Sequence, residues 1–99
     1  MALPRDIKDQ ILDIIGKVLK ANHRVILFGS YATGKENQFS DIDISIDARI
    51  PLDTAMWSII EESFEESSII QKIDVVDYHR VKKEFRDIID RDGINLLDC

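Results

Sequence analysis

Two aspartates separated by a single isoleucine, Asp41 and Asp43, open the run Asp41-Ile42-Asp43-Ile44-Ser45-Ile46-Asp47. In an extended strand alternate residues share a face, so both carboxylates project together, with side-chain origins about 6 to 7 Å apart. Like charges that close raise one another's pKa unless a cation sits between them. Mg²⁺ meets that need, because it is held by one or two carboxylates, water and substrate phosphates. Taken alone, the pattern reads equally well as a solvated strand with alternating acids. A third candidate is Asp74 in Ile73-Asp74-Val75-Val76-Asp77, an acid inside a β-branched run where Asp is disfavoured. Set beside the first pair, it would complete a site for two-metal phosphoryl chemistry. In such a site one ion activates an attacking hydroxyl and the other holds a triphosphate and the leaving pyrophosphate. Asp77 has the opposite strand parity and stands at the strand exit, where acids cap or are solvated, so Asp74 is the choice.

Gly29-Ser30 follows a short apolar run, Val25-Ile26-Leu27-Phe28. Glycine allows a ligand close to the backbone, and the N–H groups opening a helical turn form a cradle for an anion. The Ser30 hydroxyl adds a donor. Gly34 and Lys35 close the same turn and complete a candidate nucleotide-binding set of Gly29, Ser30, Gly34 and Lys35. By itself a Gly-Ser pair is more often an ordinary strand-to-helix turn.

These groups need elements to carry them. Ile7, Ile11, Ile14, Ile15, Val18 and Leu19 recur at helical spacing and predict a helix over about Pro4–Ala21. Val25–Phe28 reads as a buried strand, and Ser30–Thr33 between two glycines has room for one helical turn. Residues 35–39 read as a polar loop. Strict alternation makes Asp41–Asp47 a strand, with Ile42, Ile44 and Ile46 on one face and Asp41, Asp43, Ser45 and Asp47 on the other. Leu52, Ala55, Met56, Ile59, Ile60, Ser63 and Phe64 mark a helix over about Leu52–Glu66. Ile69–Tyr78 reads as a strand. Val81, Phe85, Ile88 and Ile89 mark a last helix ended by Gly93, and Ile94–Leu97 a short edge strand. The order α-β-(turn)-β-α-β-α-(β) predicts a single α/β (α+β) domain over residues 1–99, with helices packed on one face of a small sheet.

The composition excludes several classes. With 44% hydrophobic and 32% charged residues the chain is an ordinary globular sequence. No apolar run approaches the roughly 20 residues of a membrane helix. The N-terminal residues lack the apolar core of a signal peptide, so the expected location is cytoplasmic. The single cysteine, Cys99, forms no intrachain disulfide and suits a reducing compartment. A net charge of −6 argues against a direct grip on nucleic acid. Two histidines and one cysteine are too few for a zinc site, and Ser30 has no identifiable base. His23 reads as a charge partner of a helix C-terminus, and His79 as a loop residue. Trp57 lies off its helix's main stripe, at the rim or against a partner. Glu61, Glu62, Glu65 and Glu66 read as a solvated face, or less commonly as a contact for a basic helix.

Gly29-Ser30, then Asp41-Ile42-Asp43, then a later strand aspartate resembles the DNA polymerase beta-like nucleotidyltransferase superfamily. The fuller stretch from Phe28 to Gly34, with Ser40-Asp41-Ile42-Asp43, Ile73–Asp77, Phe85–Ile89 and Gly93-Ile94, is similar to its minimal nucleotidyltransferase branch, and the similarity spans most of the chain. The resemblance implies a nucleotidyltransferase fold with a mixed sheet. It implies Gly29 and Ser30 at the triphosphate, Asp41 and Asp43 as Mg²⁺ ligands, and Asp74 as a third carboxylate aligned with the acceptor hydroxyl. Members of this branch often serve as antitoxins of helical HEPN-type proteins, and several transfer AMP from ATP to a tyrosine of that partner. The implied partners are therefore ATP and a HEPN-type protein, in a homo- or hetero-oligomer that completes the acceptor site. A non-catalytic antitoxin that works by complex formation is the alternative. One position departs from the pattern: many relatives carry Arg where this chain has Thr33, and Lys35 or Arg24 is the candidate replacement cation.

Overall fold

Ile7, Ile11 and Ile15 repeat every four residues, so on a helix they form one apolar line. In a computed structural model, which describes residues 3–37 and 39–98, they lie buried on α1 (Arg5–Val18). Pro4 sits just outside as the N-cap, and the helix stops at Val18, short of the expected Ala21. The chain continues through β1 (Arg24–Phe28), α2 (Ser30–Thr33), β2 (Ile42–Asp47), α3 (Thr54–Glu65), β3 (Ile73–Asp77), α4 (Lys83–Asp92) and β4 (Ile94–Asn95). A 3₁₀ turn at Leu96–Asp98 follows. Cys99 lies outside the described residues.

The sheet order is β3-β2-β1-β4, with β1 antiparallel to β2 and β4, and β2 parallel to β3. This is the expected mixed sheet. The parallel pair requires a crossover, and α3 supplies it. Pleating separates two cores. Val25, Leu27, Ile42, Ile44 and Ile46 face α1 and α3, packing with Ile60 and Phe64. Ile26 and Phe28 face the other way and meet Ile89 of α4, with Val76, Tyr78 and Val81 around them. The two long helices thus share a face as expected, but α4 covers part of the opposite one, which corrects the expectation that all helices lie on one face. The polar side of β2 is consequently not open: Ser45 is fully buried.

Element ends follow local chemistry. Asp53 accepts the Met56 N–H at 2.8 Å and caps α3, so the helix begins at Thr54 and not at Leu52. The stripe on α3 is rotated from the expected one. Ile60 and Phe64 are buried and Trp57 packs partly buried on the core, whereas Ile59 is 52% exposed. β3 is shorter than expected; Ile69 reaches the core from the preceding loop, and Ile70 is exposed. Gly93 ends α4 with an extended backbone and no left-handed turn. It must be glycine for steric reasons, since a β-carbon there would overlap Ile26 and the Ile89 carbonyl. No described helix is long and apolar enough to cross a membrane.

Candidate active site at the carboxylate end of the sheet

The register of the central strands brings the predicted residues together. Phe28 pairs with Asp43 across β1 and β2, and Asp43 pairs with Asp74 across β2 and β3. Asp41 stands just before β2. Because Gly29 follows Phe28 directly, the glycine turn falls beside Asp43. A β-carbon on Gly29 would overlap the Asp43 carboxylate, and the backbone there, φ 72° and ψ −152°, is open essentially only to glycine. Both facts make Gly29 a requirement of the site and not just of the turn.

α2 is one short turn. The Ala32 and Thr33 N–H groups each donate to the Gly29 carbonyl at 3.1 Å. Thr33 Oγ1 donates to the same oxygen at 3.2 Å, so this residue serves the turn. Gly34, with φ 77°, is its left-handed C-cap, and the Lys35 N–H closes the turn onto the Ser30 carbonyl at 3.0 Å. Gly34 and Lys35 therefore flank the cradle from its far end, with the Lys35 side chain exposed.

The electrostatics of the three acids differ. Burial is the main cause raising the pKa of Asp43 above the usual carboxylate range, followed by the charges of Asp74 and then Asp41. No hydrogen bond or ion pair to Asp41 or Asp43 is formed among the described residues. Asp74 is half-exposed, with Lys72 Nζ 3.5 Å from its Oδ1. Lys72 escaped the sequence reading, although it shares strand parity with Asp74. Among the described residues no three acidic, imidazole or thiol groups, Asp41, Asp43 and Asp74 included, stand close enough together to hold a metal ion by themselves. The acids nevertheless suit a hard divalent ion: oxygen ligands only, two of them unpaired by any cation among the described residues.

The other end of the same face is built differently. Asp47 receives Arg24 Nε at 2.9 Å and Nη2 at 2.6 Å, and the Arg49 N–H at 2.8 Å. His79 Nε2 lies 2.5 Å from its Oδ1. Burial pushes the Asp47 pKa up, but these hydrogen bonds prevail and hold it below the usual range. His79, expected as a plain loop residue, is thus part of a network. Arg24 is committed here and does not replace the missing arginine, which leaves Lys35 as the remaining candidate. Asp77 is buried and accepts the Leu52 N–H at 2.8 Å and the His79 N–H at 3.0 Å, a capping role consistent with its place at the strand exit. His23 Nδ1 lies 2.9 Å from the Ala21 carbonyl, beyond the end of α1.

A glycine turn, two aspartates at the entry to a β-strand and a third aspartate on the neighbouring parallel strand point to the nucleotidyltransferase class. Residues 9–98 match the family described as Polymerase beta, Nucleotidyltransferase, and the chain belongs to it. The chain is 33% identical over 87 residues to the probable protein adenylyltransferase MntA of Haemophilus influenzae, covering 85% of this chain and 76% of that protein. The fold is similar to a chain in the crystal structure of a toxin–antitoxin with AMP-PNP (TM-score 0.71, 24% identity, 90% of this chain and 71% of that one). It is also similar to a chain in a structure of a tri-AMPylated Shewanella oneidensis HEPN toxin in complex with MNT antitoxin (TM-score 0.66, 21% identity, 90% and 67% covered). These two likenesses establish shared fold.

Proposed function

We propose that this nucleotidyltransferase moves AMP from ATP onto a hydroxyl of a partner protein, a tyrosine of a helical HEPN-type toxin, and so acts as its antitoxin. The observation that carries the reading is the register of Asp43 with Asp74, with Gly29 pressed against Asp43. The relative named as an adenylyltransferase supports AMP as the group moved.

Asp41, Asp43 and Asp74 would hold Mg²⁺, which when bound neutralises phosphate charge and lowers the cost of bringing the three acids together. Gly29 and Ser30 orient the triphosphate, and Lys35 lends a positive charge in place of the arginine absent at Thr33. The acceptor oxygen attacks the α-phosphorus, the bond to the bridging oxygen breaks, and pyrophosphate leaves. Asp74 takes the hydroxyl proton. Most of the acceleration comes from positioning and charge, with no covalent protein intermediate.

Thr33 supports a second reading, a binding antitoxin with weak or no catalysis, because its hydroxyl is spent on the Gly29 carbonyl and it carries no charge. Incubation with α-labelled ATP, Mg²⁺ and a helical HEPN-type protein separates the two. Label on the partner, lost in Asp41→Asn/Asp43→Asn, is the expected result. Neutralisation that persists in the double variant without any labelling by the wild type would establish the binding reading instead.

A further inference from the structure

α3 ends against the electrostatic rule. Its C-terminal half carries Glu61, Glu62 and Glu65, Glu66 is its C-cap, and its last turn has no basic residue, whereas a helix C-terminus favours cations. All four are exposed, and none forms an ion pair among the described residues. An arrangement that costs stability locally points to a use elsewhere.

Beside this helix end lies a cleft of about 440 Å³ between α3 and β3. Phe64, Ile69 and Val75 give it an apolar lining, Glu61 and Glu65 an acidic wall, and Asp74 stands in its boundary. Among the described residues Lys72 is the one basic side chain lining it, and its ammonium is directed to Asp74, leaving the glutamates uncompensated there. Ile70, 97% exposed, adds an unpartnered aliphatic side chain. A neighbouring groove lined by Ser58 and all four glutamates shares Glu61 and Glu65 with the cleft, so the acidic surface continues away from Asp74. β3 is also the open edge of the sheet, available to an extended segment.

We infer that this cleft docks the acceptor: a basic protein segment whose apolar side chain seats on Phe64, Ile69 and Val75, whose Lys or Arg neighbours face Glu61 and Glu65, and whose hydroxyl rounds the β3 edge to reach Asp74, which has the opposite strand parity to Val75. The inference rests on the proposed transfer to a protein hydroxyl and adds which protein surface the site selects. Charge complementarity decides the occupant. The acidic wall repels nucleic acid and acidic peptides, and it gains most from a cationic chain with one hydrophobic anchor.

The test uses the full chain, two short tyrosine peptides and a single-stranded RNA of similar length. One peptide is rich in arginine and leucine; in the other, glutamates replace the arginines. Binding is read by fluorescence anisotropy, transfer by label from ATP, and the nucleotide site by affinity for a fluorescent ATP analogue. The wild type binds the basic peptide more tightly than the acidic peptide or the RNA. Glu61→Lys/Glu65→Lys weakens basic-peptide binding, and raises its KM, by roughly tenfold. ATP-analogue affinity, melting temperature and kcat stay within about twofold or a few degrees of wild type, because neither residue touches the nucleotide site. Equal affinity of wild type and double variant for the basic peptide, or preference for RNA or the acidic peptide, overturns the inference. Basic-peptide binding that depends on the glutamates without label transfer keeps the cleft and removes the transferase reading. Transfer indifferent to the glutamates does the reverse.

Discussion

Asp43 and Asp47 stand on the same face of the same strand, one near each end, and the fold treats them in opposite ways. Asp47 is supplied with Arg24, the Arg49 amide and His79, and its pKa is lowered. Asp43 is given burial, two neighbouring acids and no cation among the described residues, and its pKa is raised. A chain able to neutralise one carboxylate so fully leaves the other unsatisfied, and the physical difference separates a stabilising carboxylate from a candidate for a ligand. Asp74 lies between the extremes, half-exposed and paired loosely with Lys72.

Charge removal at each end sharpens this contrast most. Asp43→Asn should lower nucleotidyl transfer by roughly 10²–10³-fold, as loss of a preorganised charge-stabilising group does, while melting in metal-free buffer rises. A melting point that falls would break the contrast. Asp47→Ala should do the opposite. Loss of the acceptor leaves Arg24 and His79 without their partner and costs about 2–3 kcal/mol in urea unfolding, with transfer per folded molecule within about twofold. Substantial loss of activity without loss of stability would place Asp47 in the site.

The pH dependence supplies a finer test, measured as stability differences from wild type in chelator. Asp43 has its folded pKa above the unfolded value, so the folded state binds the extra proton and stability is lost as pH rises through that interval. The advantage of Asp43→Asn should therefore grow as pH climbs from below about 4. Asp47 has its folded pKa below the unfolded value, so its contribution is present above the ordinary carboxylate pKa and is lost as pH falls. The deficit of Asp47→Ala should also grow with rising pH, with opposite sign. Parallel curves of one sign would end the comparison. The smallest effect belongs to Arg24→Lys, which gives up a forked contact at a half-exposed position for a point charge and should cost about 0.5–1 kcal/mol.

Much of the site was legible because it rests on period and adjacency. The alternation through Asp41–Asp47 set which side chains share a face, and Gly29 after an apolar strand marked the turn. Placing Asp74 needed only its parity. The parts that were not legible depend on tertiary contacts. Nothing local says that Ile89 of α4 packs against Ile26 and Phe28 of β1 on the face that Ser45 shares, so the burial of Ser45 could not be read from the alternation. Arg24 looked like a free cation near the phosphate turn because its partner, Asp47, is remote in sequence. His79 looked idle for the same reason. On α3, Trp57 displaced Ile59 from the inner stripe, a choice made by core shape and not by hydrophobicity.

The parallel crossover through α3 has a kinetic consequence. Gly29, Asp41 and Asp43 lie at the joined ends of an antiparallel pair of neighbouring strands, β1 and β2, connected through residues 29–41. Asp74 joins them only when the chain has travelled through the whole of α3 and returned. Long-range parallel pairing is the slower event in folding. A partly folded chain can thus form its glycine turn and first two carboxylates before Asp74 arrives, so the candidate site is completed only when the last edge has docked.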